Sequence, residues 1–419
     1  MTKSWRDLRI SPDRFRANFE AQAAIGSTGD GGVHRPALSE AHLATRAWFK
    51  SLIESAGLEF RLDGAGNHSA FLACGPSGAR TLLLGSHLDS VPYGGRFDGP
   101  LGVLAALEVL QVVQKAGLDL PVHLEAIDFT DEEGTLVGLL GSSALVGLLQ
   151  AQDLQTPRGG LEALLAGLAR ARLTESGMLA AHRPAGSLAG YLELHIEQGP
   201  RLVDAGLDLG VVTNIVGIGS YRLKFIGTAN HAGTTPMESR KDAGLGAASF
   251  ILAVRQLVME AFPDCTANVG SIRFEPGAFN IVPGLAELSL EFRSPRQDSF
   301  ARLEDVLLNS ARDLATQYGL DLQVEPLGRH QPTPMSPAAS QAIISAAKSL
   351  NLRAIELASG AGHDAQMLAK VCPAGMLFVP SVGGISHSAG EFSRWQDCVN
   401  GANVLLQACL RMAYGSGDE

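Results

Sequence analysis

The stretch GSHLDSVPYGGRFDGPLGV, Gly85 to Val103, sets one histidine, two aspartates, one arginine and five glycines between two apolar runs. The run that leads into it, TLLLG (81–85), reads as a short buried strand. The run that follows, PLGVLAALEVLQVVQ (100–114), has the apolar spacing of a helix. His87, Asp89 and Asp98 therefore fall on a strand-to-helix connection. In open α/β sheets, ligands bind outside the carboxyl ends of the strands, on such connections.

Outward from this loop the chain alternates helix and strand. EAHLATRAWFKSLIESAG (40–57) has helical spacing, with Ser39 as N-cap and Gly57 as C-cap. LEFRLD, SAFLAC and VHLEAIDFT read as strands, the last running into the acidic turn DEEG. LAGYLELHIEQGP (188–200) is a further strand that ends on His195 and Glu197. This alternation predicts an α/β fold with a mixed sheet and helices on both faces. From 212 to 329 the order becomes β-α-β-β-α-β, the split unit of ferredoxin-like domains. The expected organisation is a first domain of residues 1–211 and 330–419 with an inserted domain of 212–329. The first domain resumes with SPAASQAIISAAKSLNL, AGMLFVP and a closing helix from about Arg394. The Ala/Leu/Gly-rich segment 150–184 reads as helical and carries no evident chemistry.

Composition narrows the functional class. The 419 residues include 33 Lys and Arg against 43 Asp and Glu, a formal charge of −10, with no basic stripe for nucleic acid. Cys74, Cys265, Cys372, Cys398 and Cys409 are odd in number and form no Cys-x-x-Cys pair, which disfavours a disulfide framework and a structural zinc ribbon. The N-terminal MTKSWRDLRISPDRF lacks an apolar signal core, and no stretch reaches eighteen apolar residues. The expectation is a soluble cytoplasmic protein with no membrane partner.

Five positions stand out as a set: His87, Asp98, Glu133, His195 and His387, each at or just after an expected strand end. Imidazole and carboxylate ligands suit zinc, manganese, cobalt or nickel. Two divalent ions a few ångströms apart need a bridging carboxylate, and Asp98 in RFDGP is placed for that role. Bound metal lowers the pKa of water into the neutral range and so supplies a nucleophile. Glu132 precedes Glu133 on an irregular turn, so one carboxylate can bind metal while the other serves as general base. Asp89 is placed to orient the His87 imidazole. Taken singly, HxD and DEEG are ordinary surface patterns; their combination and order make the signal specific.

These stretches, with ELHIEQGP, GTANHAGTTPM, EPGAFNIVPG, SGAGHDAQ and VPSVGGISHS, resemble the M20-type metallohydrolases and, within them, the amidase/carbamoylase branch. The likeness extends from about Gly26 to Glu391. It implies that His87 and His195 hold one metal, Glu133 and His387 the other, that Asp98 bridges them, and that Glu132 is the catalytic base. It also implies substrate-binding or catalytic roles for Gln198, His231, Asn280, Arg293 and His363. The resemblance further implies that 1–211 and 330–419 form the catalytic domain and 212–329 a lid through which the protein is a homodimer, with His231 reaching into the partner's site. The implied reaction is hydrolysis of an N-carbamoyl-L-amino acid to amino acid, ammonia and carbon dioxide. Allantoate hydrolysis, β-ureidopropionase activity and acylase or peptidase activity are alternatives on the same scaffold.

The residues themselves are compatible with these roles. Arg293, in EFRSP, offers a fork for a substrate carboxylate or a surface ion pair. His231, in NHAGTTP, can steady an oxyanion or be a loop histidine. Asn280 can bond substrate or cap a turn, and His363 and Asp364 can support the ligands or touch substrate. Relatives often carry arginine where Ser143 stands. His123, His182 and His330 match no motif.

Overall fold

The structure is a computed structural model and describes residues 4–415. Its contacts divide the chain into two units. One runs up to Thr213 and takes in Pro334–Leu357 and the chain from Gly362 onward; the other is Asn214–Thr333 with Ala358–Ala361.

The first unit is built on a mixed sheet. Its strands are β1 (Glu59–Leu62), β2 (His68–Leu72), β3 (Thr81–His87), β4 (His123–Phe129), β5 (Leu188–Ile196), β6 (Leu209–Ile215), and three later ones. The order is β1-β2-β4-β3-β5, then the strand Ala374–Val379, then β6. Strands β4, β3, β5 and Ala374–Val379 run parallel, and β2 and β6 oppose them. Burial explains the composition of the parallel strands: β3 has six buried residues in the pattern iBBBBBB, as expected where both faces are covered.

Helix α1 is Pro12–Ala24, α2 Glu40–Ser55 and α3 Pro100–Ala116. Ser39 caps α2 by accepting from the His42 amide, as its sequence position implied. Helix α3 lies in the main core, with Leu101, Val103, Leu104, Leu107 and Leu110 buried. The segment 150–184 forms short helices at Ala151–Gln155, Leu161–Ala171 and Glu175–Leu179, and its Leu154, Leu164, Leu168 and Met178 share a satellite core with Leu38, Leu136 and Leu140. It also docks on the turn that follows the acidic pair, where the Gly159 amide donates to Leu136 O at 2.8 Å.

The second unit has a four-stranded antiparallel sheet made of β7 (Gly217–Ile226), β9 (Thr266–Glu275), β11 (Leu285–Ser294) and β12 (Asp321–His330), in the order β12-β7-β11-β9. Helices α4 (Ala243–Ala261) and α5 (Gln297–Gln317) pack on it, so the β-α-β-β-α-β order is realised. Helix α4 is long and apolar enough to cross a membrane, and its Ala243, Ala247, Phe250 and Val254 are buried in the core of this unit with Leu223, Phe225 and Leu288. A second, two-stranded ribbon pairs β8 (Asn230–His231) with β10 (Ile281–Val282). The expected domain bounds at 211/212 and 329/330 fall inside β6 and β12. The later strand Ala354–Ser359, which pairs with β6, ends in residues that belong to the second unit.

Candidate active site

The parallel strands deliver the site. His87 is the last residue of β3, Glu132 and Glu133 follow β4, His195 lies at the end of β5, and His387 follows the strand Ala374–Val379. Phe378 sits opposite His195 in the ladder, and Phe129 opposite His87. Adjacent carboxyl ends thus bring residues from 87 to 387 together, as the α/β rule requires.

Asp98 is the hub. Its Oδ1 lies 2.9 Å from His195 Nε2 and 3.6 Å from His87 Nε2. Its Oδ2 lies 3.3 Å from His387 Nε2, which is 3.5 Å from Glu133 Oε2. Two groups can therefore hold a cation, His87–Asp98–His195 and Asp98–Glu133–His387, each with its donor atoms within 4.8 Å of one another and Asp98 common to both.

The hydrogen bonds fit a metal. Nδ1 of His87 donates to Asp89 O at 3.0 Å, and Nδ1 of His195 to Ile196 O at 3.0 Å. Nε2 is then the atom each ring turns toward Asp98, and both Nε2 atoms are buried without a hydrogen-bond partner. Two buried orphaned imidazole nitrogens aimed at a shared carboxylate are what a divalent cation would satisfy.

The glycines of the opening loop are explained by close approach. Glu391 accepts from the amides of Phe97 and Asp98 at 2.9 and 3.1 Å, fixing the hub aspartate. A Cβ on Gly95 would sit 2.0 Å from the Glu391 carboxyl carbon. Gly99, at φ +84°, leaves no room either, since a Cβ would sit 2.5 Å from the His87 ring. Ser386 Oγ lies within reach of both Asp98 Oδ2 (3.2 Å) and Glu391 Oε2 (2.8 Å).

The acidic turn is similarly pinned. Asp131, at φ 55°, accepts from the amides of Leu136, Val137 and Gly138. The Asp89 carboxylate accepts from the amides of Glu132 and Glu133, both at 3.3 Å. Asp89 meets the His87 imidazole through its backbone: its carbonyl takes the Nδ1 proton, while its carboxylate stands 3.8 Å from that atom. Side by side on the turn, Glu133 faces His387 while Glu132 Oε2 lies 3.7 Å from His87 Nε2.

Burial dominates the titration of this centre. It pushes Glu132 well above the ordinary carboxylate range, opposed by His87 and reinforced by Glu133. It raises Glu133 to about 7, with Asp98 adding to the effect. Asp98 is the exception. Although burial works to raise it, the imidazoles of His195, His387 and His87 hold it well below the usual range.

Gln198 and His363 lie in the same unit. Gln198, at φ 58°, donates through Nε2 to Asp98 Oδ2 at 2.8 Å, leaving its buried Oε1 without a partner. His363 is 1 % exposed, with its ring edge-on to His195 at 4.5 Å. It therefore walls the ligand ring and is closed off from solvent. The other three sequence-derived positions belong to the second unit. His231 and Asn280 are exposed and are brought together by the β8–β10 ribbon, where the Ala232 amide donates to Asn280 O at 2.9 Å. Arg293, near the end of β11, spends its fork on Glu291 Oε1 (2.8 Å) and Gly360 O (2.6 Å). Glu391, Ser386 and Asp131 were not singled out from sequence. Only the neighbouring motifs VPSVGGISHS and DEEG hinted at them.

Comparison with known proteins gives the family. The model of peptidase family M20/M25/M40 matches residues 83–411. The chain belongs to that family. An N-carbamoyl-L-amino acid amidohydrolase from Geobacillus stearothermophilus is 35% identical, over 97% of this chain and all of that protein. An allantoate amidohydrolase from Bacillus subtilis is 33% identical, over 94% of this chain and 96% of that one. The crystal structure of an amidase of the hydantoinase/carbamoylase family from Burkholderia multivorans superposes with a TM-score of 0.89 at 32% identity, covering 97% of this chain and 99% of that one. The protein is thus an M20 amidohydrolase of the hydantoinase/carbamoylase branch, a hydrolase of carbon–nitrogen bonds.

Proposed function

We propose that this amidohydrolase cleaves the ureido C–N bond of N-carbamoyl-L-amino acids, giving L-amino acid, ammonia and carbon dioxide. The observation that carries this reading is the pair of donor groups sharing Asp98, with buried Glu132 beside them and unused by either. His87, His195 and Asp98 would hold one divalent cation, and Asp98, Glu133 and His387 a second; zinc, manganese, cobalt and nickel all suit these donors. When bound, such ions polarise the ureido carbonyl and acidify a water.

The chain's own residues do the rest. Glu132, with its raised pKa, takes a proton from the attacking water and passes it to the nitrogen of the breaking C–N bond. Gln198 Oε1, buried and unpartnered, accepts from a ureido N–H. Arg293 and Asn280 take the substrate carboxylate, and His231 donates to the oxygen that gains charge. The Arg293 fork must then exchange Glu291 and Gly360 for the substrate.

A homodimer through the second unit belongs to this proposal. Its edge strand β9 exposes Ile272 (41 %) and Phe274 (40 %), and α4 exposes Leu252 (74 %) and Met259 (62 %), an apolar face with a free strand edge.

Likeness to the Bacillus subtilis protein keeps allantoate as a second substrate reading. Ammonia release by metal-reconstituted protein separates the two. N-carbamoyl-L-methionine, N-carbamoyl-β-alanine, allantoate and an N-acetyl amino acid would be compared in parallel. The proposal expects turnover of the first. Ammonia from allantoate alone would replace it, and free amino acid from the N-acetyl compound alone would make the protein an acylase.

A further inference from the structure

Phe279 is the most exposed large hydrophobic side chain among the described residues, at 110 % relative exposure. Its loop, Pro276 to Asn280, is held at its base. The Gly284 amide donates to Glu275 O at 2.9 Å, and the Ile281 amide to Ala278 O at 3.3 Å. Beyond the loop, Ile281 pairs with His231 and Val282 with Asn230, and Val282 is buried. The ribbon thus presents Phe279, Asn280 and His231 as one braced group with the aromatic ring fully in water. Leaving a phenylalanine there forfeits the gain from burying it, so a partner that covers the ring is expected.

We propose that Phe279 packs against the side chain of the bound substrate, so that the enzyme prefers N-carbamoyl-L-amino acids with large apolar side chains. This rests on the reading above, in which Asn280 binds the substrate carboxylate and His231 the reacting group. In an α-amino acid the carboxylate, the ureido nitrogen and the side chain all leave one carbon. A residue adjacent in sequence to the carboxylate-binding Asn280 is therefore within reach of that third substituent. An aromatic face rewards apolar atoms and offers nothing to a charged side chain. Phe279 also makes no core contact that its removal would forfeit, so truncation leaves the ribbon's pairing intact.

The test compares the wild type, Phe279→Ala and Phe279→Leu on N-carbamoyl-L-phenylalanine and N-carbamoylglycine, with light scattering to fix the oligomeric mass. The quantity read is the ratio of kcat/KM between the two substrates. Removing an apolar contact of this size should lower that ratio about tenfold or more in Phe279→Ala, and Phe279→Leu should restore much of it. An unchanged ratio, with both substrates slowed equally or not at all, would overturn the proposal while leaving the carbamoylase reading standing. A smaller oligomer in Phe279→Ala with an unchanged ratio would show that a second copy covers the ring, and would overturn it too. Silence of the wild type on both ureido substrates would overturn the proposal together with the reading beneath it.

Discussion

The two units treat their polar groups in opposite ways. In the first, the acidic and imidazole groups are buried and over-determined: Asp98 at 3 % exposure is fixed by Glu391, Ser386 and Gln198, and the acidic turn by Asp89 and Asp131. In the second, His231 and Asn280 lie on an exposed ribbon, and Arg293 is paired with Glu291 and the Gly360 carbonyl. Under the proposed function, the difference follows from the work each unit would do. Holding divalent cations demands converging donors, and the desolvation cost of gathering carboxylates is accepted because the cations offset it. Binding a substrate that must come and go demands groups whose partners are water or weak surface contacts.

Substitutions should separate the units along that line. Asp98→Ala removes the one residue common to both donor groups. The expected result is loss of metal, read by elemental analysis, and no detectable turnover. Arg46→Met tests the buried frame beneath the site. Arg46 Nε lies 2.7 Å from Asp128 Oδ2, both buried, and burial already raises Asp128 to about 6. Stranding that carboxylate should cost about 3–5 kcal/mol in urea unfolding. Equal stability would mean that the pair contributes nothing to the frame. Asp89→Asn loosens the turn that carries Glu132 and Glu133, and should weaken metal affinity by about 10–100-fold in competition with a chelator. In the second unit the effects should be kinetic and leave metal content alone. Arg293→Ala is expected to raise KM about tenfold for carboxylate substrates with a smaller change in kcat. An unchanged KM would show that the carboxylate binds elsewhere. Leu252→Glu, on the exposed face of α4, should halve the mass in solution if the second unit joins two copies.

Much of this division was legible in the sequence. The candidate ligands lie at or just past the ends of runs of buried strand residues, and glycine-rich turns announce the connections that carry them. The β-α-β-β-α-β order of the second unit was readable because its two central strands alternate cleanly, β7 as BiBiBiBiBi and β11 as iBiBiBiBiB. Three features were not. The β8–β10 ribbon has strands of two residues, too short for any periodicity, yet it alone joins His231 to Asn280. Glu391 meets the Asp98 amide across 293 positions of chain, and local reading cannot see such a pairing. The HxD spacing placed Asp89 beside His87 without saying which of its oxygens meets the ring: the fold turns the Asp89 carbonyl to the ring and its carboxylate to the next loop.

The most direct test of the central claim is Glu132→Gln, with metal content and turnover measured on the same sample. The account predicts a full metal complement and a fall in kcat of about 10³-fold or more, since the amide keeps the shape of the side chain and loses its basicity. Substantial turnover with metal in place would contradict it and would remove Glu132 from the proton path.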